Sequence, residues 1–187
     1  MSSSLTKIWI EGAIAASLAM VLSFVPVKFG PGFSVSLGMI ALVLFALRRG
    51  LGPGLVAGLS WGLLHFLLGK VTILSIPQAL IEYVFAYLAA GLAGVYSSKI
   101  KTALQNDKAK QLYFYLVQAV LLGTLARYIF HFIAGFVFWG QYAIAGLSPV
   151  AYSLLINGTN AILTGIVTII AMILLMKKSP ALFLPRD

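Results

Sequence analysis

The sequence contains no cysteine, which excludes disulfides, thiol chemistry and Cys-ligated metals. Four acidic residues and two histidines in 187 positions are too few for a polydentate metal site. Charge is scarce altogether: Asp, Glu, Lys and Arg make up 9% of the chain, against roughly 25% in an ordinary soluble domain. A surface so poor in charge cannot face water. Several catalytic signatures are also missing. There is no G-x-x-x-x-G-K-[ST], so the chain energises nothing through a P-loop of its own, and neither H-E-x-x-H nor G-x-S-x-G occurs. No inverted repeat relates the two halves, which argues against the common plan of secondary transporters. What is present is apolar: 61% of the residues, with a mean hydropathy of +1.03. The chain reads as an all-α, polytopic membrane protein forming a single domain over residues 1–187.

Apolar stretches of about 20 residues mark transmembrane helices, and six are expected, at 6–26, 33–48, 51–69, 73–97, 111–139 and 149–176. Pro26, Gly30, Pro31 and Gly32 break the first from the second, and Arg48-Arg49-Gly50 separates the second from the third. Lys70 ends the third. Lys99 to Gln111 (KIKTALQNDKAKQ) reads as the one hydrophilic loop, and Phe138 to Pro149 as a neutral, aromatic connection. The fifth stretch exceeds the usual length, so it is tilted or leads into a surface turn. The first segment reads as a retained helix and not a cleaved signal, because no A-x-A site precedes a polar start.

An even number of spans puts both termini on one side. Ten of the thirteen basic residues fall there: Lys7, Arg48, Arg49, Lys99, Lys101, Lys108, Lys110, Lys177, Lys178 and Arg186. Only Lys28 and Lys70 fall opposite, and Arg127 lies within a span. By the positive-inside rule both termini are cytoplasmic. The net charge of +9 is therefore a topology signal, with attraction to anionic membrane lipid as a secondary effect and no nucleic acid implied.

Ionisable residues within spans are costly and usually face a cavity or a partner. Here they are Glu11, His65, Glu82, Arg127 and His131, with Gln78, Asn157 and Asn160 as uncharged company. The expected topology places Trp61, His65, Gln78, Glu82, Tyr83, Arg127, His131, Gly135, Trp139, Tyr152 and Asn157 at one level, in the outer halves of four helices. Arg127, His131, Gly135 and Trp139 recur every fourth residue and share one stripe. Such a set suits a small, polar, planar molecule and not an ion filter. Two readings of Glu82 and Arg127 stand side by side, a structural ion pair closing the bundle and a ligand site. Trp139 fits either an interfacial aromatic belt or a pocket. On the first helix, Gly12, Ala15, Ala16 and Ala19 form small-xxx-small pairs, a face that either docks another helix or packs within its own bundle.

The stretches RRGLGPGLVAGLSWGLLH, SIPQALIEYVFAYLAAGLAG, RYIFHFIAGFVFWGQYA and VAYSLLINGTNAILTGI resemble the thiamine-specific substrate-binding component of energy-coupling factor transporters. The combination of E-Y, H-F-x-x-G-x-x-F-W and Y-x-x-x-x-N carries the resemblance, which runs nearly the whole chain. It implies a six-helix bundle in a bacterial plasma membrane, not an enzyme, that takes thiamine from outside as a transported ligand and needs no cofactor or metal. Glu82, Tyr83, His131, Gly135, Trp139, Tyr152 and Asn157 match its binding positions, Trp61 matches a pocket wall, and Arg127 stands where members can carry Lys. The resemblance also implies partners: two ATP-hydrolysing subunits and a transmembrane coupling subunit that contacts the small-residue face of the first helix. Two positions depart from the pattern. The first outer loop offers Phe29 and Phe33 where members can have Trp, and Thr72 stands where Tyr is expected. The chemistry agrees, since thiamine joins an aminopyrimidine to a cationic thiazolium. Glu82 can offset the cation or accept from the amino group, aromatic rings can stack and attract a cation, and Asn157 and Tyr152 can supply directional bonds. The alternatives are a binding component for another vitamin and a membrane-embedded enzyme using Glu82 and His131 as acid and base.

Overall fold

Gly50, with φ of +95°, is the single residue between two helices, and only a residue without a Cβ adopts that conformation readily. It joins α2 (Gly38–Arg49) to α3 (Leu51–Leu67) at the end of the bundle that also holds both termini. The computed structural model describes residues 3–28 and 32–185. Phe29, Gly30, Pro31 and Arg186 lie outside the described residues. The remaining helices are α1 (Ser3–Leu22), α4 (Ile76–Gln105), α5 (Ala109–Phe138) and α6 (Pro149–Lys178). No strand occurs among the described residues beyond one isolated bridge between Lys28 and Ser34.

Among the described residues, four helices are long and apolar enough to cross a membrane: α1, α4, α5 and α6. Their outward faces carry large apolar side chains, Ile76, Ile162 and Ile14 among them, 62% to 75% exposed. Such faces fit lipid and not water. α3 is apolar but shorter, at 17 residues, and α2 has 12. The expected second span, 33–48, is thus only partly helical. Residues 32–36 run outside a helix because their backbone bonds go elsewhere. Asn160 accepts from the Ser34 N–H at 2.8 Å and donates to the Gly32 carbonyl at 3.0 Å, and Thr164 Oγ1 accepts from the Ser36 N–H at 3.1 Å.

The hydrophilic stretch 99–111 is also largely helical, contrary to the loop reading. α4 continues to Gln105 because Ile100 and Ala103 face inward at full burial and offset the polar residues between them. Only Asn106, Asp107 and Lys108 separate α4 from α5, with Asp107 in the left-handed region at φ of +52°.

α4 is not one uniform helix. Ser75 caps its start, accepting from the Gln78 N–H at 3.3 Å, and Pro77 occupies the first turn, where its missing N–H is not needed. The helix then widens to a π-turn over Leu80–Phe85 and tightens to a 3₁₀ stretch over Gly91–Tyr96. α3 lies directly on this backbone. A Cβ on Gly58 or Gly62 would collide with the carbonyl oxygen of Tyr87 or Tyr83, so the two helices approach as closely as backbones allow.

The small-residue stripe of α1 packs within its own bundle, one of the two arrangements its pattern allows. Gly12 sits under the Phe45 ring, whose nearest atom would be 3.2 Å from a Cβ there, and Ala16 and Ala19 are 2% and 0% exposed. Ala15 is buried too and reaches only the floor of a shallow groove beside α2. The stripe lets α1 close on α2 and α3.

Candidate functional site

At the end away from the termini, α3 to α6 and the segment after α1 enclose a cavity of about 530 Å³. A second chamber of about 280 Å³ adjoins it. Glu82, His131, Asn157 and Asn160 line both, so the two chambers share a polar wall. The volumes fall near the usual range for a small-molecule site, about 300–1,000 Å³. The larger chamber adds Tyr83, Tyr87, His65, Arg127 and two lysines, Lys28 and Lys70. The smaller adds Trp139, Tyr142, Tyr152 and Gly135 and is the more aromatic.

Glu82 owes its placement to the π-turn. In a regular helix neighbouring residues point about 100° apart, and the extra residue in this turn brings both Glu82 and Tyr83 to the cavity. Both carboxylate oxygens are held. Trp139 Nε1 donates to Oε1 at 2.8 Å, and Gln78 Nε2 donates to Oε2. Trp139 closes the end of α5, its N–H donating to the Gly135 carbonyl at 3.2 Å, so the carboxylate is gripped from two helices.

No ion pair joins Glu82 and Arg127 among the described residues. Arg127 is 5% exposed and lies among aromatic faces, 4.3 Å from the Tyr87 ring centre and 4.8 Å from that of Trp61. Its NH1 donates to Ser36 Oγ at 2.7 Å. The structural-pair reading is therefore wrong. A ring quadrupole replaces the carboxylate as partner, and Glu82 is left to the cavity.

Trp61 does not face the cavity. It is fully buried behind Arg127, its indole N–H on Ser23 Oγ at 3.2 Å. His65 is held on both sides. The Trp61 carbonyl, 2.9 Å from Nδ1, can only accept, so the proton is on Nδ1 and Nε2 accepts from the Tyr87 hydroxyl at 3.0 Å. His131, Gly135, Trp139, Tyr152 and Asn157 all line the smaller chamber, the first three from the one stripe that their spacing implied. Gly135 admits not a ligand but α6: a Cβ there would stand 2.8 Å from Asn157 Nδ2 and closer still to Ser153 Oγ. Ser153 in turn donates to the Phe132 carbonyl at 2.7 Å and accepts from Asn157 Nδ2 at 3.1 Å, which orients the Asn157 amide.

Ser36 lines the larger chamber, Ser153 the smaller and Asn160 both, while Gln78 stands behind the wall on Glu82; none of the four was singled out as a binding residue. Gln78 stands four before Glu82 and Ser153 four before Asn157, the spacing at which helical side chains meet, and that signal was in the sequence. Ser36 carries no such signal, since its partner Arg127 is 91 positions away. Of the departures, Phe33 is half-buried, and Thr72 takes part through its backbone, its N–H donating to the Tyr83 hydroxyl at 3.0 Å. No cluster of three metal-ligating side chains exists among the described residues. A carboxylate held by donors, stacked rings and oriented amides can bind a flat polar cation. Among the described residues, no activated nucleophile stands beside them.

Comparison with known proteins agrees with this geometry. A family model described as thiamine transporter protein matches residues 9–184. The thiamine transporter ThiT of Lacticaseibacillus paracasei is 35% identical over 182 residues, covering 95% of this chain and 90% of that protein. The thiamine transporter ThiT of Bacillus subtilis is 34% identical over 176 residues, covering 92% of each. A solved structure of ThiT from Listeria monocytogenes superposes with a TM-score of 0.95 at 42% identity, covering 98% of this chain and all of that one. With a match across almost its whole length and a bundle of the same shape, the chain belongs to the thiamine transporter protein family.

Proposed function

We propose that this chain is the thiamine-binding subunit of an energy-coupling factor uptake transporter, a multi-pass protein of a bacterial plasma membrane. Family membership assigns it to transport and not to catalysis. The observation that carries the reading is the Glu82 carboxylate. Among the described residues it is the one acidic group in the cavity wall, it is held in place by Trp139 and Gln78, and it is not paired with Arg127. A permanent thiazolium cation in a low-dielectric site gains most from such a group. The rings of Trp139, Tyr142 and Tyr152 in the smaller chamber offer faces for stacking, and Asn157 and His131 stand in the wall common to both chambers.

Transport then requires partners, because the chain has no nucleotide motif. We assign that work to two ATP-hydrolysing subunits and a transmembrane coupling subunit. The cavity opens at the end away from the termini, and the charge bias of the loops makes that end extracellular. Capture comes first and needs no ATP. The detergent-purified chain alone is therefore expected to bind thiamine one to one and to quench its tryptophan fluorescence, through Trp139 in the chamber wall. Isothermal titration with thiamine, riboflavin and biotin checks it. Heat with riboflavin or biotin and none with thiamine would remove the substrate assignment.

A further inference from the structure

We propose that Gln78 is a positioning residue for substrate capture, presenting the Glu82 carboxylate to the cavity and, through the same amide, tying the loop 69–75 to that carboxylate. The inference rests on the assignment of this cavity as the thiamine site. Gln78 is fully buried, one helical turn before Glu82. Its Nε2 donates to Glu82 Oε2 and to the Thr72 carbonyl at 3.1 Å, while its Oε1 accepts from the Leu74 N–H at 3.0 Å. Both amide hydrogens and the amide oxygen are in use. Only one orientation allows this. Turned over, the amide would set its oxygen against two acceptors and its hydrogens against the Leu74 N–H.

The consequence follows from planarity. An amide fixed by the loop backbone on one edge has no freedom to re-aim the hydrogen it gives Glu82 on the other. The loop is bound back to the site a second time, since the Thr72 N–H donates to the Tyr83 hydroxyl at 3.0 Å and Tyr83 also lines the cavity. Lys70, in the same loop, lines it as well. Carboxylate, amide, loop backbone and phenol therefore form one network, and a ligand that engages Glu82 bears on the loop through Gln78. Networks of this kind lose more than one bond when a member is removed.

The absence of cysteine makes the test clean. Ile73 is 58% exposed, so Ile73→Cys in the full chain carries the only thiol. Without ligand, Gln78→Met is expected to raise maleimide labelling at position 73 several-fold, because the loop has lost its ties. With thiamine, labelling should slow in the Ile73→Cys chain and stay unchanged when Gln78→Met is added. In titrations, Gln78→Met should weaken thiamine binding roughly ten- to a hundredfold, the scale of one hydrogen bond to a charged group. In a Glu82→Gln background the same substitution should add less than about threefold, since Gln78 acts through Glu82. Gln78→Leu removes the same donors with a different apolar side chain and is expected to weaken binding as much, which preserves the test should Gln78→Met fail to fold. Multiplying effects of the two sites, parent-like affinity in a folded Gln78 variant, or equal labelling rates would each overturn the proposal. A parent chain that binds no thiamine would instead overturn the cavity assignment, and the ligand-free labelling would still decide the loop tie.

Discussion

Arg127 and Glu82 share a cavity in a low-dielectric setting, yet each has its own partners. The guanidinium lies on aromatic faces and on Ser36, and the carboxylate takes N–H donors from Trp139 and Gln78. This division leaves the carboxylate open to a cationic group in the cavity, where a Glu–Arg pair would have engaged it. It also sets what substitutions should do. Glu82→Gln puts an NH₂ against either Trp139 Nε1–H or Gln78 Nε2–H, donor facing donor, besides removing the charge. Arg127 loses nothing, so the fold should survive while thiamine affinity falls far more than for a neutral hydrogen bond. Trp139→Phe retains a ring for stacking and loses one charge-assisted bond, worth about 1.5–3 kcal/mol. Its affinity is expected to drop roughly ten- to a hundredfold, less than for Glu82→Gln. Calorimetric titration of both variants, with gel filtration to confirm folding, gives the ranking. Equal affinity in all three proteins would place the substrate elsewhere.

Elements were legible to the extent that their signals are local. The long apolar spans α5 and α6 lie within two residues of their expected ends, and for α6 the Ser148 cap, Pro149 and Lys177-Lys178 mark both ends in the sequence itself. The stripe from Arg127 to Trp139 was equally readable, being a matter of spacing. Three things were not local. The chain at 32–36 looks apolar enough for a helix, but its backbone is claimed by Asn160 and Thr164 from far along the sequence. The π-turn that aims Glu82 has no compositional mark. The partner of the small residues on α1 also lies in another element, and pattern alone could not separate docking from internal packing. Burial of Ala19 beneath α2 and α3 supports internal packing at that position and sets the expectation for a bulky residue there. Ala19→Trp should abolish folding, thiamine binding and uptake together, since overpacking a closed core costs at least about 1–3 kcal/mol even for a few added methylenes. Detergent-extracted yield and binding on one preparation measure this. A well-folded variant with parent affinity and no uptake would restore the docking face.

The whole molecule is built as two ends of opposite character. The cavity end is polar inside and held by side chains that also line the two chambers. The opposite end is held by a charge cluster that lines neither. There Glu11 of α1 accepts from Arg48 Nε at 2.9 Å and Arg49 Nε at 2.7 Å, and Arg48 also donates to the carbonyls of Ala181, Leu182 and Leu184. Phe183, fully buried, fixes the C-terminal turn beneath them. One carboxylate thus joins the first helix, the α2–α3 corner and the C-terminal segment. Glu11→Gln keeps the shape but removes the negative charge that faces two arginines, one of them almost wholly buried, and puts an NH₂ donor where one acceptor oxygen stood. Because Glu11 is itself 29% exposed, the penalty falls below that of a fully buried pair. A loss of about 2 kcal/mol is the expected scale for charged hydrogen bonds. The cavity lies at the far end and shares no partner with this cluster, so the two contributions should add. Saturating thiamine stabilises the folded state by an amount set only by its concentration and affinity. Thermal unfolding in detergent should therefore show Glu11→Gln melting several degrees below the parent, with thiamine stabilising both proteins to the same extent in free energy and binding both with one affinity. A smaller stabilisation by thiamine in the variant would mean that the clasp and the cavity are coupled, and that the two ends do not act as separate units.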